Sequence, residues 1–428
     1  MKRVVQFILK ILAKLVLARY NPEVVGITGS LGKTSAKEAI STVLQAKFKV
    51  RSSIKNYNNE YGLPLTIIGV VSPGRSVGGW LAIMFKALSL IIIKDKNYPQ
   101  ILILEMGVDK PGDMDYLNNI VRLDTAVLTM IGVSHLENFG TQAKLAAEKK
   151  KILNNLNRNG WAIINYDNAR EAVADAKNKV ITYGLSDGAD VQATNLIFKF
   201  QDANAEDDLL GINFKIAYKE AYIPVLLPRA ISRTAVSAAM AGFAVGLAHD
   251  LNPVDIAMSL SEFTPPRGRM NLLAGLNGSL IIDDTYNAAP QSTLAALEVL
   301  DEMQPEKTKH KWVVLADMLE LGEASEQGHW EAGKRVAQIK KANLLTLGQE
   351  ALYIGIGARE HKMKEQQMQH FSNQTEIIEF LSERLEPGDI VLVKGSQGMR
   401  MEKVVKGLMA EPEKAGELLV RQGEDWEN

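Results

Sequence analysis

The chain has 428 residues, too many for one ordinary hydrophobic core, so two or three domains are expected. Hydrophobic residues make up 46% and charged residues 23%, a globular balance. Lys and Arg total 49 against 50 Asp and Glu, which gives no electrostatic case for a nucleic-acid partner, and the absence of cysteine excludes disulfides, zinc ribbons and thiol catalysis and fits a reducing, cytoplasmic setting.

Residues 1–20, MKRVVQFILKILAKLVLARY, form an amphipathic helical pattern, with Val4, Ile8, Ile11, Leu12 and Leu15 on one face and Lys10 and Lys14 breaking the run. The stretch is too short and too charged for a membrane span, and it lacks the uninterrupted apolar region of a signal peptide. Two readings stand: a helix packed on the first domain, or a basic amphipathic helix resting on the inner face of a membrane.

Val24 to Thr28 reads as a short buried strand, followed by Gly29, Ser30, Leu31, Gly32, Lys33 and Thr34 and by helical signals from Ser35. A strand entering a glycine-rich turn and then a helix leaves backbone N–H groups pointing one way at the positive helix end, which is an anion site. In such a loop Gly29, Ser30, Gly32 and Ser35 surround nucleotide phosphates, Lys33 reaches the β- and γ-phosphates of ATP, and the Thr34 hydroxyl holds Mg²⁺. The match departs from the common pattern at Ile27, where a glycine is usual.

Strand and helix then alternate. A helix is expected over 35–47, a strand over 48–51, an Asn/Gly/Pro-rich turn over 56–64, and a buried helix over the apolar run 79–93, whose Trp80 and flanking Arg75, Lys94 and Lys96 would also suit a membrane interface. Strands 100–105 and 125–131 are continuous and apolar, as in a parallel sheet covered on both faces. Ligands of such sheets lie at the carboxyl ends of the strands, where Glu105 falls and where Ser134, His135 and Glu137 follow. That position makes Glu105 a candidate Mg²⁺ ligand, and leaves His135 equally a structural residue or a ligand. After a strand at 161–165, a β-rich polar region (190–225) and a small-residue helix (235–248), the turn FTPPRGRMN at 263–271 has the composition of an inter-domain hinge. A second alternating unit follows, with strands at 280–284, 311–316, 343–347 and 389–394, and the acidic end 411–428 is expected to fray. The fold class is α/β: an amphipathic helix (1–23), a P-loop parallel-sheet domain (24–266) and a smaller Rossmann-like domain (267–428).

GITGSLGKTSAKE, NYNNEYGLP, LEMG, SHLENFGT, RGRMN, DDTYNAAPQS, LADMLELGEASEQGHW and VLVKGSQGM occur in this order over most of the chain. Together they resemble the Mur ligase family, and within it the branch that adds D-alanyl-D-alanine to a peptidoglycan precursor. The resemblance implies an ADP-forming amide ligase: a peptide carboxylate attacks the ATP γ-phosphate, and an amine then displaces phosphate from the acyl phosphate. It implies that Lys33 cradles the phosphates, that Thr34 and Glu105 hold a first Mg²⁺, and that His135 with a carbamylated lysine, matched by Lys149, holds a second. It further assigns Asn287 to the adenosine, Arg269 of the hinge to the phosphates on domain closure, and Asn59, Lys394 and Ser396 to the substrates. The partners implied are a small-molecule peptide acceptor and an amino-acid or dipeptide donor, used by a monomer.

Three departures from the family pattern stand out. About 25 residues precede the phosphate loop, where the pattern has a uridine-nucleotide domain; the Gly-x-His-Asn segment is replaced by Pro228-Arg229-Ala230-Ile231-Ser232-Arg233; and Gln397 stands where many relatives have arginine. A related ligase acting on another polymer or a lipid-linked carrier, or an ATP-binding subunit that needs a partner, are the alternative readings.

Overall fold

The computed structural model describes every residue except 1, 54–56, 133–135, 200–210, 229, 304–309 and 424–428, and for residues 2, 3, 136, 137, 170 and 199 the backbone alone. The chain forms two compact units. The first comprises Met1–Leu196, Phe214–Leu226 and Thr234–Phe263, and the second Ile197–Asn213, Leu227–Arg233 and Thr264–Asn428.

Among the described residues nine strands form one sheet: β1 (Glu23–Thr28), β2 (Val50–Ser52), β3 (Ile101–Glu105), β4 (Leu123–Leu128), β5 (Leu156–Asn165), β6 (Lys179–Gly184), β7 (Val191–Lys199), β8 (Gly211–Tyr218) and β9 (Ala221–Pro228), in the order β2-β3-β1-β4-β5-β6-β7-β8-β9. The pairings from β2 through β7 are parallel. β1 and β3 are buried along nearly their whole length, the continuous apolar pattern of strands covered on both faces. β1 lies between β3 and β4, with Ile27 opposite Glu105 and Thr28 opposite Leu128. This register brings three strand ends to one carboxyl edge.

The helices that matter to the site are α1 (Lys2–Tyr20), α2 (Lys33–Gln45), α3 (Gly62–Ile68), α4 (Val77–Ile92), α5 (Asp113–Asn118), α6 (Leu136–Phe139) and α7 (Gln142–Lys150). α2 begins at Lys33, two residues earlier than expected, because Gly32 (φ 81°) makes the turn that a side chain would resist. β4 stops at Leu128 rather than at Ile131, since Met130 leaves the ladder to bridge Leu31 of the loop after β1.

α1 packs on the first unit through Leu9, Leu12, Ala13 and Val16, in one core with Leu63, Ile67 and Ile83. The face chosen from the sequence is therefore corrected: Leu12 and Ile8 turn inward, whereas Val4, Ile11 and Leu15 are exposed. The expectation of a buried helix over 79–93 is corrected as well. α4 buries Ile83, Ala87 and Leu90, one residue per turn or so, and leaves most of its apolar side chains outside.

The second unit carries a six-stranded sheet among its described residues: β10 (Asn271–Ala274), β11 (Leu280–Asp284), β12 (Lys311–Ala316), β13 (Ala342–Leu347), β14 (Met368–Phe371) and β15 (Ile390–Lys394), in the order β10-β11-β15-β12-β13-β14. All pairs are parallel except β10 with β11. β14, four residues at the sheet edge of which only Phe371 is buried, escaped the sequence reading. The terminal segment does not fray up to residue 423: Leu419 is buried, and the Arg421 guanidinium donates to Glu402 at 3.0 Å.

Candidate active site

The site of the first unit is the loop 29–34. Its shape is held by its neighbours at the carboxyl edge. Ser30 N–H donates to the Met130 carbonyl at 2.7 Å, and the Ser30 hydroxyl to the Gly132 carbonyl at 2.9 Å. Thr129 lies beside the loop and donates to the Leu31 and Thr28 carbonyls at 2.7 and 3.1 Å. Gly29, at φ 154°, leaves no space for a Cβ, which would run into that Thr129 hydroxyl. Thr28 donates from its own hydroxyl to the Met106 carbonyl at 2.8 Å, tying β1 to the chain after β3.

Lys33 turns back over the loop, its ammonium 2.8 Å from the Gly29 carbonyl. The same carbonyl accepts from the Lys149 ammonium at 3.1 Å. Lys149 reaches it because α7, capped by the Thr141 hydroxyl accepting from Lys144 N–H, presents Leu145, Glu148 and Lys149 inward on one face. Glu148 accepts from Gly112 and Met114 N–H groups at 3.0 Å and so caps α5. Lys150 and Lys151 turn out to ion pairs with Asp175 and Asp115 at 3.0 and 2.6 Å. Of three consecutive lysines, Lys149 alone is buried.

Burial, and then the like charge of Lys33, lowers the Lys149 ammonium to about 7, against a partial opposing pull from Asp109 and Glu148. Its amine is thus substantially neutral at physiological pH.

The Thr34 hydroxyl faces the buried Glu105 carboxylate at 3.2 and 3.4 Å. Glu105 N–H donates to the Ser53 hydroxyl at 3.2 Å, and the Ser53 carbonyl accepts from the buried Lys37 ammonium at 2.7 Å. Lys37, Ser53 and Thr129 went unremarked in the sequence; Lys37 alone had a legible signal, one turn after Lys33 on the same helix. Two oxygen donors, a hydroxyl and a carboxylate side by side, suit a hard cation such as Mg²⁺. Among the described residues no three His, Asp or Glu side chains gather at one point, and His135 lies outside them. Asn59 uses its carboxamide oxygen to accept from Tyr61 and Gly62 N–H at 3.2 and 3.0 Å, at the start of α3.

In the second unit Arg269, Asn287, Lys394 and Ser396 gather around the end of β11. Lys394 lies opposite Asp284 in the sheet and pairs with it at 2.6 Å; its ammonium also donates to the Asn287 carbonyl at 2.9 Å. The Asn287 side-chain oxygen accepts from Gln397 N–H at 3.3 Å, and the Ser396 hydroxyl accepts from Leu319 N–H at 2.8 Å. Arg269 sits 4.2 Å over the ring of Tyr286. Next to them Asp283 is fully buried and accepts from Thr285, and burial raises its carboxyl to about 6 despite those hydrogen bonds.

Comparison with known proteins identifies the family of the chain. The sequence pattern of the Mur ligase middle domain matches residues 87–226, and that of the Mur ligase glutamate ligase domain residues 268–397. The UDP-N-acetylmuramoyl-tripeptide–D-alanyl-D-alanine ligase of Bacillus subtilis is 30% identical over 402 residues, covering 94% of this chain and 79% of its own. The MurF ligase of Thermotoga maritima, solved in complex with ADP, superposes with a TM-score of 0.77 at 27% identity, over 95% of this chain and 84% of the other. A MurF structure from Acinetobacter baumannii gives 0.76 at 25% identity, over 94% and 79% of the two chains. With the phosphate loop, the Thr34–Glu105 pair and the buried Lys149 in these places, the chain belongs to the Mur ligase family and resembles its MurF members.

Proposed function

We infer that the protein is an ATP-dependent, ADP-forming amide ligase of peptidoglycan-precursor assembly. In the reaction a carboxylate oxygen of the acceptor peptide bonds to the γ-phosphorus of ATP as the bond to ADP breaks. The donor amine then bonds to the acyl carbon, phosphate leaves, and the amine proton passes to solvent. The names of the relatives support UDP-N-acetylmuramoyl-tripeptide as acceptor and D-alanyl-D-alanine as donor.

The observation that carries the reading is the loop 29–34 itself, with the Lys33 ammonium on the Gly29 carbonyl and the Thr34 hydroxyl beside the buried Glu105 carboxylate. Phosphoryl transfer to a carboxylate brings anions together, and cations held in place before the reaction lower that cost without reorganising. Backbone N–H groups at the start of α2 would meet the phosphates of a bound nucleotide, and Lys33, now on the Gly29 and Ser30 carbonyls, would turn to a phosphate oxygen. Thr34 and Glu105 would hold Mg²⁺, which supplies further charge neutralisation at the phosphates.

The neutral fraction of Lys149 gives it a second capacity. An unprotonated amine adds CO₂, forming an N–C bond and releasing a proton, and the resulting carbamate is an oxygen donor rather than a cation. We propose that Lys149 is carbamylated in the working enzyme and that it acts with His135. Bound ¹³CO₂ would give a carbamate carbon resonance that is lost in Lys149→Ala.

The function is tested by phosphate release from ATP with precursor peptides, carrying or lacking the UDP-sugar, and with amino acids or D-alanyl-D-alanine as donor. Release that requires both acceptor and amine is expected; release indifferent to both would overturn the ligase reading.

A further inference from the structure

The exposed apolar surface of the chain is concentrated on two neighbouring helices. Ten of the 18 large apolar side chains exposed among the described residues lie on α1, on α4 or on Ile93 just after it. Phe7, Ile11 and Leu15 stand out from α1, and Leu81, Phe85 and Ile92 from α4, with Phe85 and Ile92 71% and 74% exposed. The two helices pack against each other within the first unit. Tyr20, at the end of α1, donates to the Leu90 and Ile93 carbonyls at 3.0 and 3.3 Å, accepts from Asp95 N–H and stacks on Tyr98, so the ends of the two helices are pinned together. Each helix already buries a separate apolar face in the core, so the exposed residues are not needed for folding. An outward apolar surface of this kind marks an interaction face.

Charge tells what the face meets. Residues 1–20 and 75–96 hold nine Lys and Arg and one acidic residue, leaving 40 basic against 49 acidic residues in the rest of the chain. Lys86, Lys94 and Lys96 are exposed beside the apolar residues of α4, and Lys14 and Arg19 beside those of α1. A cationic rim around exposed Phe, Leu and Ile matches the interface of an anionic bilayer, where rings and aliphatic chains enter the headgroup region and lysines meet lipid phosphates. The acidic remainder would be repelled by the same surface, which orients the molecule with this face down. A second copy fits poorly, since a two-fold contact would set one cationic rim against the other. No described helix is long and apolar enough to cross a membrane, so the contact lies at the surface.

We propose that α1 and α4 form one composite docking face for an anionic lipid bilayer, independent of the phosphate-loop site. The test is flotation of the full chain with vesicles of phosphatidylcholine, alone or containing phosphatidylglycerol, at low and high salt. Binding is expected to the anionic vesicles at low salt, and to weaken as salt screens the lysines. The pair Phe7→Ser with Phe85→Ser should lower the partition coefficient by about tenfold or more. The pair Lys94→Glu with Lys96→Glu should lower it by about tenfold, with stronger relief of salt dependence. All four side chains lie on the surface, so unchanged thermal melting shows the variants folded, and phosphate release without vesicles should match the parent. Failure of the parent to float, or flotation indifferent to both pairs of substitutions, overturns the proposal. So does a parent that forms dimers by sedimentation without binding vesicles, if the serine pair makes it monomeric; the face would then be a protein interface.

Discussion

The Lys33 and Lys149 ammonium groups donate to the same acceptor, the carbonyl of Gly29, at 2.8 and 3.1 Å. Two like charges on one carbonyl repel each other, and that repulsion, added to burial, is part of what brings Lys149 down to about 7. Lys33→Ala is therefore expected to act twice. Phosphate release should fall by about 10²-fold or more, as a charge placed for the transition state is lost, and Lys149 should titrate higher. Steady-state kinetics and ¹⁵N-lysine NMR check the two effects. Turnover near the parent rate would remove Lys33 from the reaction.

Lys149→Ala should lose most activity, and short carboxylic acids should restore part of it by supplying the oxygen donor of the proposed carbamate. Lys150→Ala should keep parent activity, since its side chain pairs with Asp175 on the surface. Lys151→Ala should also keep activity but melt slightly lower, because Lys151 joins Asp115 and Glu148. Loss at Lys149 without rescue would favour a cationic role; full activity would place it outside the chemistry.

Burial of Lys149 makes a statement about stability against pH. The unfolded chain binds this proton up to the ordinary lysine range, the folded one only to about 7. Between those values the unfolded state holds more protons, so stability rises with pH. Lys149→Met removes the burden and should be more stable than the parent at pH 6–7, by on the order of a few kcal/mol. That advantage should shrink towards pH 10. Denaturation of both proteins across this range measures the difference; a constant gap would show that Lys149 is not desolvated.

Asp283 gives the opposite slope. Its carboxyl is raised to about 6 from a model-peptide value of 3.8, so its penalty is absent near pH 4 and full above pH 6. Asp283→Asn keeps an oxygen for Thr285 and should raise stability at pH 8 by on the order of 2 kcal/mol. The gain should vanish as pH falls through 6 towards 4, as read by thermal melting.

Lys394 and Asp284 are buried together, and the ammonium also holds the Asn287 carbonyl. Lys394→Met leaves the buried Asp284 carboxylate without its counter-charge, held only by the Met270 N–H among the described residues, and should cost roughly 3–5 kcal/mol. Lys394→Met with Asp284→Leu should recover much of the stability without recovering nucleotide affinity, because the Asn287 carbonyl has lost its tie to the end of β15. Calorimetry and nucleotide titration separate the two losses. Recovered affinity would mean that the loop needs no tie.

The strand–loop–helix at 24–45, most strands of both sheets and the alternation of strand and helix were legible in the chain because their signals are local. Buried parallel strands read as unbroken apolar runs, and Gly29-Ser30-Leu31-Gly32-Lys33-Thr34 follows a strand and opens a helix in one stretch of sequence. The resemblance to the family also rests on such contiguous motifs. What distinguishes Lys149 from Lys150 and Lys151 was decided by tertiary packing. Rotation of one helix about Leu145 takes a single lysine out of water and sets it on the Gly29 carbonyl, and desolvation is a property of that place rather than of the residue. Thr129, Ser53 and Lys37 likewise shape the site through contacts across strands that no local pattern records. The same limit explains α1 and α4. The chain shows α1 as amphipathic and α4 as an apolar run, but two apolar faces on one helix look alike until packing chooses which is buried; the core took Leu9, Leu12 and Val16 and left Phe7, Ile11 and Leu15 outside.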